Sequence, residues 1–361
     1  MNQSKQVVII GAGPAGMEAA AVLSDHRYRV TLLDKELQMG GKLNQWAHLF
    51  PDFSDADELR HAMLQRLNKP EIHFVPQVTV EQISFSSEKI RVQLSDGQLV
   101  NADALMVTTG FQVFNAARKE EYGYGLYQNV ITSAELETLF RESRTIRTSN
   151  GRKPGRIALV HCIGSRDEKC GNTYCSRVCC ITAVKQAIKI KKRLPQSEVF
   201  CFYIDMRMFG HGFEELYREA QEKWNITFIR GRVSEAARNQ GGLLQIKAED
   251  TLTGRPLKMN TDLMVLMVGM EPSDGTRQMQ WMLNLKQTFG GFIQSETGLL
   301  NGNATNHAGV FVAGSCKGPM SLSDTLTDAR SAALEVMKYL GHSIPERQQA
   351  SAENEISFDN R

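Results

Sequence analysis

Gln6-Val7-Val8-Ile9-Ile10-Gly11-Ala12-Gly13-Pro14-Ala15-Gly16 is the stretch whose reading decides the fold. Val7 to Ile10 form an apolar, β-branched run of the kind found in a strand buried on both faces. A G-x-G-x-x-G turn follows, and Met17 to Ser24 read as a helix. Arg29-Val30-Thr31-Leu32-Leu33-Asp34 then returns as a second strand. In such a turn Gly11 permits the tight bend and Gly13 lets the backbone approach a pyrophosphate. Gly16 lets helix and strand pack closely. The helix N-terminus adds unpaired N–H groups and a favourable dipole for phosphate. Asp34 stands 18 residues beyond Gly16, in register to accept hydrogen bonds from ribose hydroxyls. A dinucleotide site is expected here.

Working outward, the order of later segments favours FAD over NAD. Gly40-Gly41-Lys42 follows the ribose-binding strand and suits a second backbone approach to the pyrophosphate–ribitol region. Thr108-Thr109-Gly110 closes a strand after a hairpin spanning 78–100 whose turn is Ser95-Asp96-Gly97. Gly314-Ser315 ends the last strand, near a ribitol or phosphate, and a helix starting near Ser321 or Ser323 can aim N–H groups at the flavin pyrimidine end. The cofactor-binding set is Gly11, Gly13, Pro14, Ala15, Gly16, Asp34, Lys35, Gly40, Gly41, Lys42, Val78, Thr109, Gly110, Gly314 and Ser315.

The same order recurs. Arg156–Val160 reads as a strand, Cys175 to Leu194 as mostly helix, and Glu198–Ile204 as the next strand. A hairpin-like segment over 243–258 and a strand ending at Gly269 complete the second copy. Two βαβ-type halves make the chain α/β, with two Rossmann-like, nucleotide-binding-type domains. Gly309–Gly314 most simply rejoins the first domain, so the second is inserted in it. The expected division is 1–115 and 286–345 for the FAD-binding domain, 116–150 for a connecting segment, 151–285 for the inserted unit and 346–361 for a mobile tail.

At 361 residues the chain exceeds the usual size of a single core. Its 42 Lys and Arg against 40 Asp and Glu leave a formal charge of +2, which argues against nucleic-acid binding. No apolar run approaches the roughly 20 residues that cross a bilayer, so direct membrane insertion is not expected. The first strand begins too early to leave room for a signal peptide. Those features favour the cytoplasm.

Five of the seven cysteines fall between Cys162 and Cys180. Without Cys170 they read C-x12-C-x3-C-C: Cys162, Cys175, Cys179 and Cys180. Cys162 stands at a strand's carboxyl end, where open α/β sheets place ligands; the others stand at the start of the next helix, with Cys175 and Cys179 expected on one helical face. Three chemistries compete for them. An iron–sulfur cluster suits soft thiolates beside a flavin. Structural zinc and a thiol–disulfide pair both lack the usual C-x-x-C. Cys162 also occupies the position where a nicotinamide-binding copy would carry its glycines, which argues against direct reduction by NAD(P)H there. Arg166, Arg177 and Lys185 are cations near the cysteines.

These residues together resemble the flavin-binding A subunits of heterodisulfide reductases, within the thioredoxin-reductase-like flavoproteins. The resemblance rests on Ile9–Gly16, Met39–Lys42, His161–Asp167, Tyr174–Cys180, Tyr203–Arg207 and Gly318-Pro319, and spans nearly all of residues 5–342. It implies FAD and a [4Fe–4S] cluster on Cys162, Cys175, Cys179 and Cys180. The family's usual Gly-Asp is Gly314-Ser315 here. Long methanogen forms carry further cysteine motifs absent from these residues, which implies electron entry or exit through separate subunits. The short form is similar to the A-type component of sulfur-oxidising heterodisulfide-reductase-like complexes. That likeness implies an oxidoreductase acting with B- and C-type subunits, contact with a sulfur-carrier protein, and a homodimer. Alternatives are the flavin subunit of a quinone-interacting complex of sulfate reduction, or a flavoprotein scaffold with a structural four-cysteine metal and no electron transfer.

Overall fold

The computed structural model describes residues 5–86, 89–239, 241, 243–296 and 302–341; the tail 346–361 lies outside them. Strand β1 (Gln6–Ile10) runs into helix α1 (Pro14–Asp25), β2 (Arg29–Leu33), α2 (Ala56–Arg66) and β3 (Ile72–Val75). An antiparallel sheet of β4 (Val80–Phe85), β5 (Ile90–Leu94) and β6 (Leu99–Ala102) precedes β7 (Ala104–Val107). The chain leaves along β8 (Phe111–Val113) for β9 (Val130–Thr132) and α3 (Ser133–Arg141). The second unit continues with β10 (Arg156–Ile163), α4 (Cys179–Arg193), β11 (Glu198–Tyr203), α5 (Phe213–Glu222) and β12 (Thr227–Arg230). Its antiparallel layer is β13 (Val233–Arg238), β14 (Leu244–Asp250) and β15 (Arg255–Thr261), followed by β16 (Leu263–Val268). Strand β17 (Met270–Pro272) leads back to α6 (Asp274–Met282), β18 (Val310–Val312) and α7 (Leu322–Tyr339).

Two parallel five-stranded sheets result, ordered β18-β7-β1-β2-β3 and β9-β16-β10-β11-β12. Their strands correspond one to one, so the tandem expected from the sequence is present. The outer strand is recruited differently in each: β18 comes from the chain's last portion, β9 from the 116–150 segment. Strand β9 pairs with β16 over Val130 to Thr132, and Thr132 starts α3 with a capping box to Glu135. The two crossings between units, β8 and β17, pair antiparallel.

Each sheet is covered on both faces, as its continuous apolar strands require. Val7 and Ile9 pack toward α1 and α7, while Val8 and Ile10 face the β4–β6 layer. Ile157 and Leu159 face α3 and α4, and Ala158 and Val160 the β13–β15 layer. Glu18 on α1 is buried between Arg66 on α2 and Arg330 on α7, each 2.6 Å away. A loop then stitches the units together. Ala47, Phe50 and Phe53 leave the first unit and join the second unit's core. There Lys185 reaches the His48 carbonyl at 2.6 Å and the Glu137 carboxylate at 2.7 Å.

Candidate functional site

A cleft of about 880 Å³ opens at the carboxyl end of the first sheet, within the size range of cofactor pockets. Gly13 is the N-cap of α1 and Pro14 its first residue; no side chain caps this end, so the helix presents backbone N–H groups at the turn. Gly16 does not line the cleft. A Cβ on it would lie 1.9 Å from the Gly11 carbonyl oxygen, so it sets the helix–strand approach. Gly40 and Gly41 face the same turn from outside. The Gly40 N–H donates to the Ala12 carbonyl at 2.8 Å, and a Cβ on Gly41 (φ +53°) would come 3.0 Å from the Gly13 Cα.

Asp34 accepts the Ala12 N–H at 2.5 Å on one oxygen and the Glu36 N–H at 2.8 Å on the other. Burial pushes its carboxyl pKa up against those two bonds. It lines the cleft with Gly11, Gly13, Pro14, Ala15, Lys35, Gly41, Lys42, Val78, Thr109, Gly110 and Ser315. Burial lowers the Lys42 ammonium pKa, and its Nζ lies 5.9 Å from the Phe111 ring centroid. Gly314 stands just behind the wall, its N–H donating to Asp328 at 2.7 Å. Sequence reasoning missed Asn44, Gln45, Trp46, Gln278, Met279 and Met320, which also line it. Only the Ser273-x-x-Thr276 cap of α6, where Ser273 accepts the Thr276 N–H, signals that this segment returns to the cleft.

The cysteine stretch forms a loop between β10 and α4, at the equivalent edge of the second sheet. A bulge lies between Val160 and Ile163, and Cys162, Gly164 and Arg166 have φ of +60°, +71° and +54°. Asp167 pins the loop, its buried carboxylate meeting Lys119 at 2.7 Å and Arg232 at 3.0 Å. Tyr174 donates to the Met270 carbonyl at 2.8 Å, and Ser176 accepts the Met270 N–H at 3.0 Å.

Cys162, Cys179 and Cys180 are buried in one cluster, and the Cys179 thiol interacts with the other two. Its hydrogen bonds pull the pKa of Cys162 and Cys180 down, while its own moves up. Cys175 differs from expectation. Helix α4 starts at Cys179, and Arg177 takes φ +60° just before it, so Cys175 sits in the loop rather than on a shared helical face. It is half-buried, and its sulfur accepts the Arg177 N–H at 3.3 Å. Among the described residues no three His, Cys, Asp or Glu side chains stand in a metal-holding arrangement.

The surroundings nevertheless fit a group with several acceptor atoms. The Ser165 hydroxyl and Nη1 of Arg166 are buried with no hydrogen-bond partner among the described residues, and the buried His161 ring bears on the Cys180 thiol. All three belong to the segment running through Cys162. Native interiors seldom leave such donors unmatched. Cys170 packs with the opposite cluster, on the far face of the sheet. Cys201 is fully buried, and burial raises its thiol pKa. Cys316 is also fully buried; its thiol donates to the Val107 and Ala313 carbonyls, and burial pushes its pKa up to about 12.

One residue ties the two places together. Arg177, between the cysteines, donates to the Pro319 carbonyl and pairs with Asp324, both at 3.2 Å. Those partners flank Met320 and Leu322 on the cleft wall.

The profile of the pyridine nucleotide-disulphide oxidoreductase family matches residues 5–139. The A subunit of the H(2):CoB-CoM heterodisulfide,ferredoxin reductase of Methanothermobacter thermautotrophicus is 40% identical over 239 residues, covering 65% of this chain and 36% of that protein. The first iron-sulfur A subunit of the CoB--CoM heterodisulfide reductase of Methanopyrus kandleri is 31% identical over 427 residues, covering 91% and 63%. Residues 5–139 thus match the pyridine nucleotide-disulphide oxidoreductases, and the chain is similar in sequence to the A subunits of heterodisulfide reductases. It spans less than two thirds of the length of these curated relatives. Lactococcus lactis thioredoxin reductase (FR conformation) shares the fold, with a TM-score of 0.65 at 19% identity over 93% of this chain and 99% of that one. Among the described residues no helix is long and apolar enough to cross a membrane.

Proposed function

We propose that this chain is the FAD- and [4Fe–4S]-carrying electron-transfer subunit of a heterodisulfide-reductase-like complex, acting as an oxidoreductase in cytoplasmic sulfur-compound oxidation. The observation that carries the reading is the pairing of a flavin-sized cleft with a buried thiol nest, bridged by Arg177. The iron–sulfur designation in the name of the Methanopyrus relative supports it.

When bound, FAD exchanges electrons in pairs or singly and a cluster exchanges them singly. The residues of the cleft bind and orient. The α1 N-terminus at Gly13 and Pro14 receives the pyrophosphate, with Gly41 allowing its close approach. Asp34 holds the adenosine ribose through its remaining lone pairs. Val78, Thr109 and Gly110 border the adenosine side, and Ser315 the ribitol. Cys162, Cys175, Cys179 and Cys180 supply four thiolates, three of them shielded from water. B- and C-type subunits deliver and remove electrons, a sulfur-carrier protein meets the complex, and the chain pairs as a homodimer.

Anaerobically purified protein tests this through visible and EPR spectra with iron and acid-labile sulfide analysis. Bound FAD and the composition of one [4Fe–4S] cluster per chain are expected. Zinc in place of iron would make the site structural. Rapid stoichiometric oxidation of NADPH by the isolated chain would overturn the dependence on partners.

A further inference from the structure

Segment 318–320 contributes Met320 to the wall of the cofactor cleft, yet nothing in its own unit holds it directly. Lys317 before it is tied to Asp328 at 2.6 Å, and Ser321 after it caps α7 together with Asp324. Between those anchors its one hydrogen bond among the described residues comes from the cysteine loop: Arg177 Nη1 donates to the Pro319 carbonyl at 3.2 Å. Nη2 of the same guanidinium meets the Asp324 carboxylate at 3.2 Å. The fork thus straddles Met320 and Leu322, both on the cleft wall.

The base of that arm is fixed. Arg177 has φ +60°, a region that a residue other than glycine keeps only where its surroundings hold it. Here Tyr174 and Ser176 both bind the Met270 backbone, and the N–H of Arg177 donates to the Cys175 sulfur. The Phe209 ring flanks the arm, its centroid 5.3 Å from the guanidinium carbon. The Arg177 and Asp324 side chains are 39% and 48% exposed, so their charge attraction by itself contributes little. What distinguishes Arg177 is its shape. A planar fork holds two separate acceptors at once, which the point charge of a lysine does not reproduce.

We propose that Arg177 is a positioning residue for the flavin: from the cysteine loop of one unit it holds segment 318–320 and the start of α7 against the cofactor in the cleft of the other. This rests on the flavin reading above and requires no occupant at the cysteines. Losing the fork releases the wall and speeds the departure of FAD, while each unit's own core keeps the fold.

The test follows FAD release from the full chain by the rise of free-flavin fluorescence, in wild type, Arg177→Met and Arg177→Lys. Unfolding midpoints are taken on the same chains stripped of FAD. Arg177→Met is expected to release FAD about tenfold faster, the scale of one hydrogen bond to a charged group, with its FAD-free midpoint unchanged. Arg177→Lys, which keeps the charge but not the fork, should release it nearly as fast as Arg177→Met. Unchanged release in Arg177→Met would overturn the proposal. So would wild-type release in Arg177→Lys, which would reduce the contact to charge alone, or a fall in the FAD-free midpoint that accounts for the faster release. A wild-type chain that takes up no FAD would overturn the flavin reading itself, and the proposal with it.

Discussion

Replacing Lys185 by Met tests the buried pair of the second unit on which the 47–53 loop of the first unit docks. The Lys185 and Glu137 side chains are 5% and 4% exposed, and Nζ lies 2.7 Å from the carboxylate. Glu137 also accepts the Ala47 N–H at 3.2 Å and the Gln186 amide at 2.9 Å. Those neutral donors remain in Lys185→Met, but the charge they surround becomes uncompensated, and the His48 carbonyl loses its donor. Breaking one side of a buried pair costs about 3–5 kcal/mol. Adding Glu137→Gln removes the charge while keeping an acceptor for the Ala47 N–H, so the double variant should be more stable than Lys185→Met alone. Urea unfolding followed by circular dichroism and tryptophan fluorescence measures both. A single variant within about 1 kcal/mol of wild type, the scale of an exposed pair, would refute the argument.

Gly16→Ala places a methyl where the Gly11 oxygen stands 1.9 Å away. Overpacking of about 1–3 kcal/mol and reduced flavin content are expected, read from the unfolding midpoint and the flavin spectrum. Burial pushes the Glu18 carboxyl pKa up, but bonds from Arg66 and Arg330 outweigh it and hold the pKa below the usual value. Its stabilisation is therefore present above the unfolded-state pKa and lost as pH falls through the folded one. Glu18→Gln should flatten the acid limb of stability against pH, measured by urea unfolding across that range. Cys179→Ser should abolish or destabilise the cluster and leave most FAD bound, as iron, sulfide and flavin contents will show; lost flavin with intact iron would contradict the separation of the two sites.

The β1–α1–β2 unit was legible because strand, turn and helix signals are local and agree. The cysteine spacing likewise placed Cys162 at a strand end and Cys179 and Cys180 at a helix start. Cys175 was misplaced because Arg177 adopts a left-handed backbone that residue type does not announce. Strand β9 was hidden by its length: Val130-Ile131-Thr132 is too short to show a period, though the Thr132–Glu135 capping box was readable. Trp46 and Gln278 reach the cleft through tertiary packing, which no local pattern encodes. The contribution of 47–53 to the second core is equally non-local.

That stitch has a mechanical consequence. The short turn Gly41–Asn44 borders the cleft, and the chain runs from it into Ala47, Phe50 and Phe53 inside the other core. A ligand gripping the native cleft adds RT ln(1 + [L]/Kd) to stability, and this path shares that gain across both units. Flavin loading should therefore raise the melting of the cysteine-bearing unit as well, drawing two separable transitions toward one.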